Sequence, residues 1–250
     1  MIALDLAGKA ALVTGGTRNI GLGIARRLAQ AGADLALFYR SDDAAADAAR
    51  DEIARETGRR VHTYRVDVAD EASVEAGVAR ALGDFDGAFP VVVHNAGGGD
   101  GGGAMPGVTT GQWRGVLGVN LDAAFFLTRA LLRRNGALPA GSSIVLIASG
   151  AGHDPIEGLA AYGAAKAGLI HFGAVLAQDV GPRGVRVNIV SPGFTDVGRG
   201  DEERRHAVAE RTALRRVGTP NDVAGAVLFF ASDLSSFVTG QWLRVNGGAV

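Results

Sequence analysis

The chain has 250 residues, 47% of them apolar, with 25 basic and 26 acidic side chains and no cysteine. That apolar share supplies a sizeable core for one domain, and a formal net charge of -1 provides no basic face for nucleic acid or an anionic membrane. The lack of cysteine excludes disulfides, thiol catalysis and thiolate-bound metal, and no histidine–carboxylate cluster has ligand spacing, so no metal is predicted.

Met1–Asp5 carries an early acid and no basic run, and no uninterrupted apolar stretch reaches membrane-spanning length. The prediction is a soluble, cytoplasmic chain without a signal peptide. Lys9 and Lys166 are the only lysines; every other basic residue is arginine.

In chain order, short apolar runs alternate with longer amphipathic ones. Strands are predicted at Ala10–Thr14, Leu35–Tyr39, Val61–Val66, Val91–His94, Ser143–Ala148, Val185–Val190 and Trp242–Val245. Helices are predicted at Ile20–Ala31, Asp43–Thr57, Ala72–Leu82, Gln112–Leu132, Tyr162–Val180 and Asn221–Ser232. The strands are apolar throughout, as in parallel sheets covered on both faces. No linker divides the chain, which predicts a single α/β domain over residues 1–250. The glycine-rich stretch Gly97–Gly103 reads either as a mobile surface loop or as a gate.

The first strand runs into Thr14-Gly15-Gly16-Thr17-Arg18-Asn19-Ile20-Gly21 and then a helix. Such glycines permit a tight turn and close approach of a pyrophosphate to backbone N–H groups at a helix N-terminus. The second strand ends at Tyr39-Arg40, where an acid would hold both ribose hydroxyls and repel a 2′-phosphate. Arg40 and Arg18 instead suit a 2′-phosphate, which favours NADP(H) over NAD(H).

Tyr162 and Lys166 lie four residues apart, on one face of the fifth predicted helix. A nearby ammonium lowers a phenol's pKa, making tyrosine a usable proton donor to a carbonyl or acceptor from an alcohol. Ser149 follows the fifth strand, at the edge where open α/β sheets bind ligands, and can stabilise charge developing on a substrate oxygen.

Together these motifs resemble the short-chain dehydrogenases/reductases, and among them the 3-oxoacyl-acyl-carrier-protein reductases, from about residue 5 onward. The family's Thr-Gly-x-x-x-Gly-x-Gly aligns on Thr14, Gly15, Asn19 and Gly21, with Asn19 for the middle glycine; asparagine tolerates positive φ. The resemblance implies a doubly wound parallel sheet (Rossmann fold) of seven strands in order 3-2-1-4-5-6-7. It places Asp67 and Val68 at the adenine and Asn95, Ala96 and Gly97 along the cofactor, with His94 replacing the family's first asparagine and reading as a structural histidine. Pro192, Gly193 and Thr195 would face the nicotinamide carboxamide; Val197 stands where the family has threonine. Asn120, Ser149, Tyr162 and Lys166 match the family's catalytic set, and Asn246 replaces an aspartate in its C-terminal Val-Asp-Gly-Gly. A small carbonyl or alcohol substrate, free or carrier-bound, and a homotetramer are further implications.

Residues Gly150–Leu159, with His153, Asp154 and Glu157, and the 193–211 segment are predicted to shape the pocket, the second as a substrate lid or a solvated helix. Two other readings stay open: a nucleotide-binding regulator without turnover, and a reductase of imines or double bonds. The family's enoyl reductases usually space Tyr and Lys more widely.

Overall fold

A computed structural model describes residues 4–98, 103–198 and 202–249. Seven strands form one parallel sheet: β1 (Ala10–Thr14), β2 (Asp34–Tyr39), β3 (Val61–Arg65), β4 (Val91–His94), β5 (Ser143–Ile147), β6 (Arg186–Pro192) and β7 (Trp242–Val245). Their order is β3-β2-β1-β4-β5-β6-β7, as predicted. The connecting helices are α1 (Asn19–Gln30), α2 (Asp43–Thr57), α3 (Glu71–Asp84), α4 (Thr110–Leu117), α5 (Ala123–Leu132), α6 (Ala160–Val180), α7 (Glu202–Glu210) and α8 (Pro220–Ala231).

The mostly apolar strands β1, β2, β4 and β5 follow from burial on two sides; β3 carries His62 and Arg65, and β6 carries Arg186 and Asn188. Leu12, Phe38, Val92, Leu146 and Ile189 enter the core beneath α3, α5 and α6. Their neighbours Val13, Leu37, Val93 and Ile147 enter the other, beneath α1, α2 and α8. Each such side chain contributes about 1.5–3 kcal/mol on leaving water. β7, at the sheet edge, leaves Leu243 and Arg244 exposed.

Local signals set the helix ends. Asp42 caps α2 by accepting from the Ala45 amide, and Gly58 closes it at φ 68°. Pro220 opens α8 behind a reciprocal Thr219–Asp222 capping box. α1 crosses α8 so closely that a Cβ on Gly23 would stand 2.7 Å from Pro220 Cβ.

Two features depart from the sequence reading. The predicted helix Gln112–Leu132 is broken by a π-helical turn at Gly118–Asp122. In addition, Thr110–Leu132 and Ala160–Arg183 are long and apolar enough by composition to cross a membrane. Scanning for uninterrupted apolar runs misses them, because Asn120, Asp122, Arg129 and Lys166 punctuate them; both lay apolar residues on the sheet.

Candidate active site

Where the strand order reverses about β1, the carboxyl-end loops part and leave a cleft of about 980 Å³. Its floor is the β1–α1 loop. Gly15 has φ 63° and Asn19 φ 52°, so Asn19 takes the left-handed conformation its residue type allows. A Cβ on Gly21 would fall 2.0 Å from the Gly15 carbonyl oxygen and 2.5 Å from Asn95 Nδ2, which admits no side chain. α1 has no acid in its first turn and no side-chain cap, leaving its leading amides to an anion. This cradle fits a dinucleotide's pyrophosphate.

At one end of the cleft, the Tyr39 hydroxyl donates to Asp43 Oδ1 at 2.8 Å, and that bond is the chief reason its pKa is raised. Arg18 and Arg40 line the same end with exposed side chains. Arg65, which sequence reasoning missed, crosses behind them: its Nε donates to the Arg40 carbonyl at 3.3 Å and its Nη1 lies 3.9 Å from Asp43 Oδ2.

At the other end, Ser149 leaves β5 in extended conformation (φ -165°), and its Oγ accepts from the Ala151 amide at 3.2 Å. Tyr162 bonds to the Ser149 hydroxyl; burial raises the phenol's pKa and that bond offsets part of the rise. Lys166 is 2% exposed and donates from Nζ to the Ile147 carbonyl at 2.9 Å. Burial lowers its pKa to about 8. Its Nζ sits over the Tyr162 ring, 5.6 Å from the centroid. Burial is thus the largest influence on the phenol, while the bond to the Ile147 carbonyl holds Lys166 over its ring.

Asn120 is fully buried in the π-helical turn, a distortion that recurs at functional sites. Its Nδ2 donates to the carbonyls of Gly98 (2.7 Å) and Val116 (2.9 Å), and its Oδ1 accepts from the Gly98 amide at 3.0 Å. A Cβ on Gly97 would stand 2.6 Å from Asn120 Oδ1 and 3.1 Å from Lys166 Nζ. Gly97 thus brings backbone, amide and ammonium to one point.

A family model described as enoyl-(acyl carrier protein) reductase matches residues 15–250. The chain is 38% identical over 251 residues to the 3-oxoacyl-(acyl-carrier-protein) reductase FabG of Chlamydia muridarum, covering 97% of this chain and 98% of that one. The chain belongs to the short-chain dehydrogenase/reductase family. A dehydrogenase/reductase from Sinorhizobium meliloti superposes with TM-score 0.92 at 36% identity, covering 98% of this chain and 96% of the other. A short-chain dehydrogenase from Burkholderia cenocepacia, solved in complex with NADP, gives TM-score 0.89 at 36% identity over 97% and 98%.

In this dehydrogenase/reductase the cleft gathers Gly15, Thr17, Arg18, Asn19, Ile20, Gly21, Tyr39, Arg40, Val68, Asn95, Ala96 and Gly97 with Ser149, Tyr162, Lys166, Pro192, Gly193 and Thr195. Asn120 lies beneath it. Asp67 is the exception among the predicted residues: it does not line the cleft, and its carboxylate accepts from the Ala69 amide at 3.0 Å within its own turn. His94 is buried at the end of β4, in keeping with a structural role. Val197 does line the cleft, while the Thr195 hydroxyl turns back to the Gly193 carbonyl. Asn246 packs on Gly193, whose Cβ would meet it at 2.8 Å.

His153 and Asp154 do not shape the cleft. His153 meets Trp242 edge-on at 5.2 Å between centroids, and Asp154 pairs with Arg244 at 2.7 Å. The cleft wall comes from Phe194 and Arg204 of the predicted 193–211 segment and from Gln112, Gly115, Val116 and Val119, which sequence reasoning did not assign to the pocket. Gly98, predicted mobile as part of Gly97–Gly103, is held by Asn120; residues 99–102 lie outside the described residues, as does Asp201.

Proposed function

We propose that the chain is an NADP(H)-dependent carbonyl reductase, acting on a ketone or 3-oxoacyl-type carbonyl and oxidising the alcohol in reverse. One observation carries this reading: Ser149, Tyr162 and Lys166 meet at one end of a cleft whose other end holds Arg18 and Arg40. The NADP complex of the Burkholderia cenocepacia relative and the substrate class named for the Chlamydia muridarum relative support it.

The dinucleotide supplies the hydride when bound. Gly15, Asn19 and Gly21 give its pyrophosphate close access to backbone amides, Val68 and Asn95–Gly97 flank its path, and Pro192–Thr195 border the nicotinamide end. Arg18 and Arg40 bind the 2′-phosphate. Ser149 orients the substrate oxygen. Tyr162, kept neutral by burial, gives that oxygen its proton. Lys166 holds a positive charge beside the developing alkoxide, and Asn120 supports the relay that returns a proton to Tyr162 through Lys166.

The 193–211 segment acts as the substrate lid. The excursion is closed at its base by the Asp196 amide to Gly218 carbonyl bond (2.8 Å) and the Gly218 amide to Phe194 carbonyl bond (3.1 Å). Arg204 lies over the Phe194 ring at 5.1 Å and lines the cleft. α7 buries none of its residues, as expected of an element free to move. The family resemblance points to a homo-oligomer, a tetramer, working in the cytoplasm.

NADPH consumption across a panel of ketones and 3-oxoacyl thioesters tests the reading. Turnover that falls about 10²–10⁴-fold in Tyr162→Phe, with NADPH affinity retained, supports it. NADPH binding without turnover on any carbonyl points to a nucleotide-binding regulator, and turnover confined to imines or enoyl substrates assigns the proton donor to that chemistry.

A further inference from the structure

His94 is a buried titratable group that the catalytic scheme leaves unused. It is 1% exposed. Strand alternation turns it to the same sheet face as Val92 and Leu146, the face packed by α6 and the π-helical turn.

Its protonation is fixed by counting bonds at one hydroxyl. Thr14 Oγ1 accepts from the amides of Asn95 (3.1 Å) and Ala96 (3.0 Å). Both lone pairs are then engaged, so the hydroxyl proton turns to its third neighbour, His94 Nδ1, at 3.4 Å. Nδ1 is therefore the acceptor, and the ring proton resides on Nε2. That N–H is buried and meets no acceptor among the described residues. Burial chiefly, and the Lys166 charge secondarily, lowers the imidazole's pKa. Around this layer α6 brings Tyr162 and Lys166, β1 brings Thr14, β5 brings Leu146 and the Ile147 carbonyl, and the π-helical turn brings Asn120.

We propose that His94 is a positioning residue, whose Nε2–H holds a buried water that in turn accepts a hydrogen bond from Lys166. Two donors cannot bond directly; a water oxygen accepts from both. The ammonium has three protons, and Ile147 takes one. The imidazole thus acts through the lysine, from the layer beneath it, and this role rests on the proposed part played by Lys166 in turnover.

The test has two arms. Long-range ¹⁵N–¹H spectra of the full chain should show His94 neutral with its proton on Nε2 from about pH 5 to 8; an Nδ1–H tautomer or an imidazolium in that range overturns the proposal. The second arm compares His94→Asn, which keeps a group near Nδ1, with His94→Gln, which returns an amide N–H near Nε2. Loss of the water weakens the charged lysine, so in His94→Asn the kcat/KM pH profile should move about one unit toward acid, with NADPH affinity unchanged, and His94→Gln should restore it. Equal profiles for wild type, Asn and Gln variants reduce His94 to core packing and overturn the role. The spectra need no turnover, so they judge His94 even if the carbonyl-reductase reading fails.

Discussion

Gly97 lies against Asn120 with no room between them: a methyl group on Gly97 would stand 2.6 Å from the amide oxygen. The same methyl would lie 3.1 Å from Lys166 Nζ. Gly97→Ala must therefore displace both polar groups. Misplacing catalytic groups by about 1 Å costs on the order of 10²-fold in rate. Steady-state kinetics should show a kcat loss of that size with far-ultraviolet circular dichroism unchanged; near-normal kcat would show that the spacing carries no catalytic weight.

Arg40 presents its guanidinium at the cleft end opposite Tyr162, beside the Tyr39–Asp43 hydrogen bond. A charge-assisted hydrogen bond contributes about 1.5–3 kcal/mol, so Arg40→Ala should raise the Kd for NADPH by roughly 10–100-fold and leave that for NADH nearly unchanged. Titration of cofactor fluorescence measures both. A parallel loss for the two cofactors would remove the arginine from 2′-phosphate recognition.

The pH dependence of carbonyl reduction follows from two groups. Burial lowers the Lys166 pKa to about 8 and raises that of Tyr162. Tyr162 thus keeps its proton through the neutral range, while Lys166 loses its charge as pH rises through about 8. The kcat/KM profile for reduction should fall on that alkaline side. Lys166→Arg, which stays charged, should move the fall to higher pH, at some loss of rate because its fork does not fit an ammonium's place.

Acid stability reports on His94. The imidazole has an ordinary pKa of 6.5 and about 3 in the folded chain, chiefly through burial. Between those values the unfolded chain takes up a proton that the folded chain refuses. The contribution is fully present above 6.5 and is lost as pH falls toward about 3. From this group alone the folding equilibrium shifts roughly tenfold per pH unit in that window. Urea unfolding at a series of pH values should show the slope in wild type and a shallower one in His94→Asn; identical slopes would place the acid sensitivity elsewhere.

Much of this molecule was legible because its strands obey one rule. Runs such as Leu35–Phe38 are apolar at every position since both sheet faces are covered, and the strand order followed from the family resemblance. Asn19 was legible because few residues besides glycine accept its φ of 52°. The π-helical turn was not, since the apolar pattern runs through Asn120 as if the helix were regular. Ile147's capture of Lys166 was equally hidden: a backbone carbonyl leaves no mark in a sequence. Asp154 was read toward the pocket as part of Gly150–Leu159, yet its partner, Arg244, lies ninety residues away on the edge strand.

The extra residue wound into Gly118–Asp122 has an architectural result. An α-helix advances about 100° per residue (3.6 residues per turn), so one surplus residue rotates everything before it relative to everything after. α5 stays seated on the sheet while Gln112, Val116 and Val119 swing round to wall the cleft. Deleting a single residue there would straighten the rod and turn that wall aside, so the shape of the substrate chamber is encoded as a phase offset between two otherwise ordinary helices.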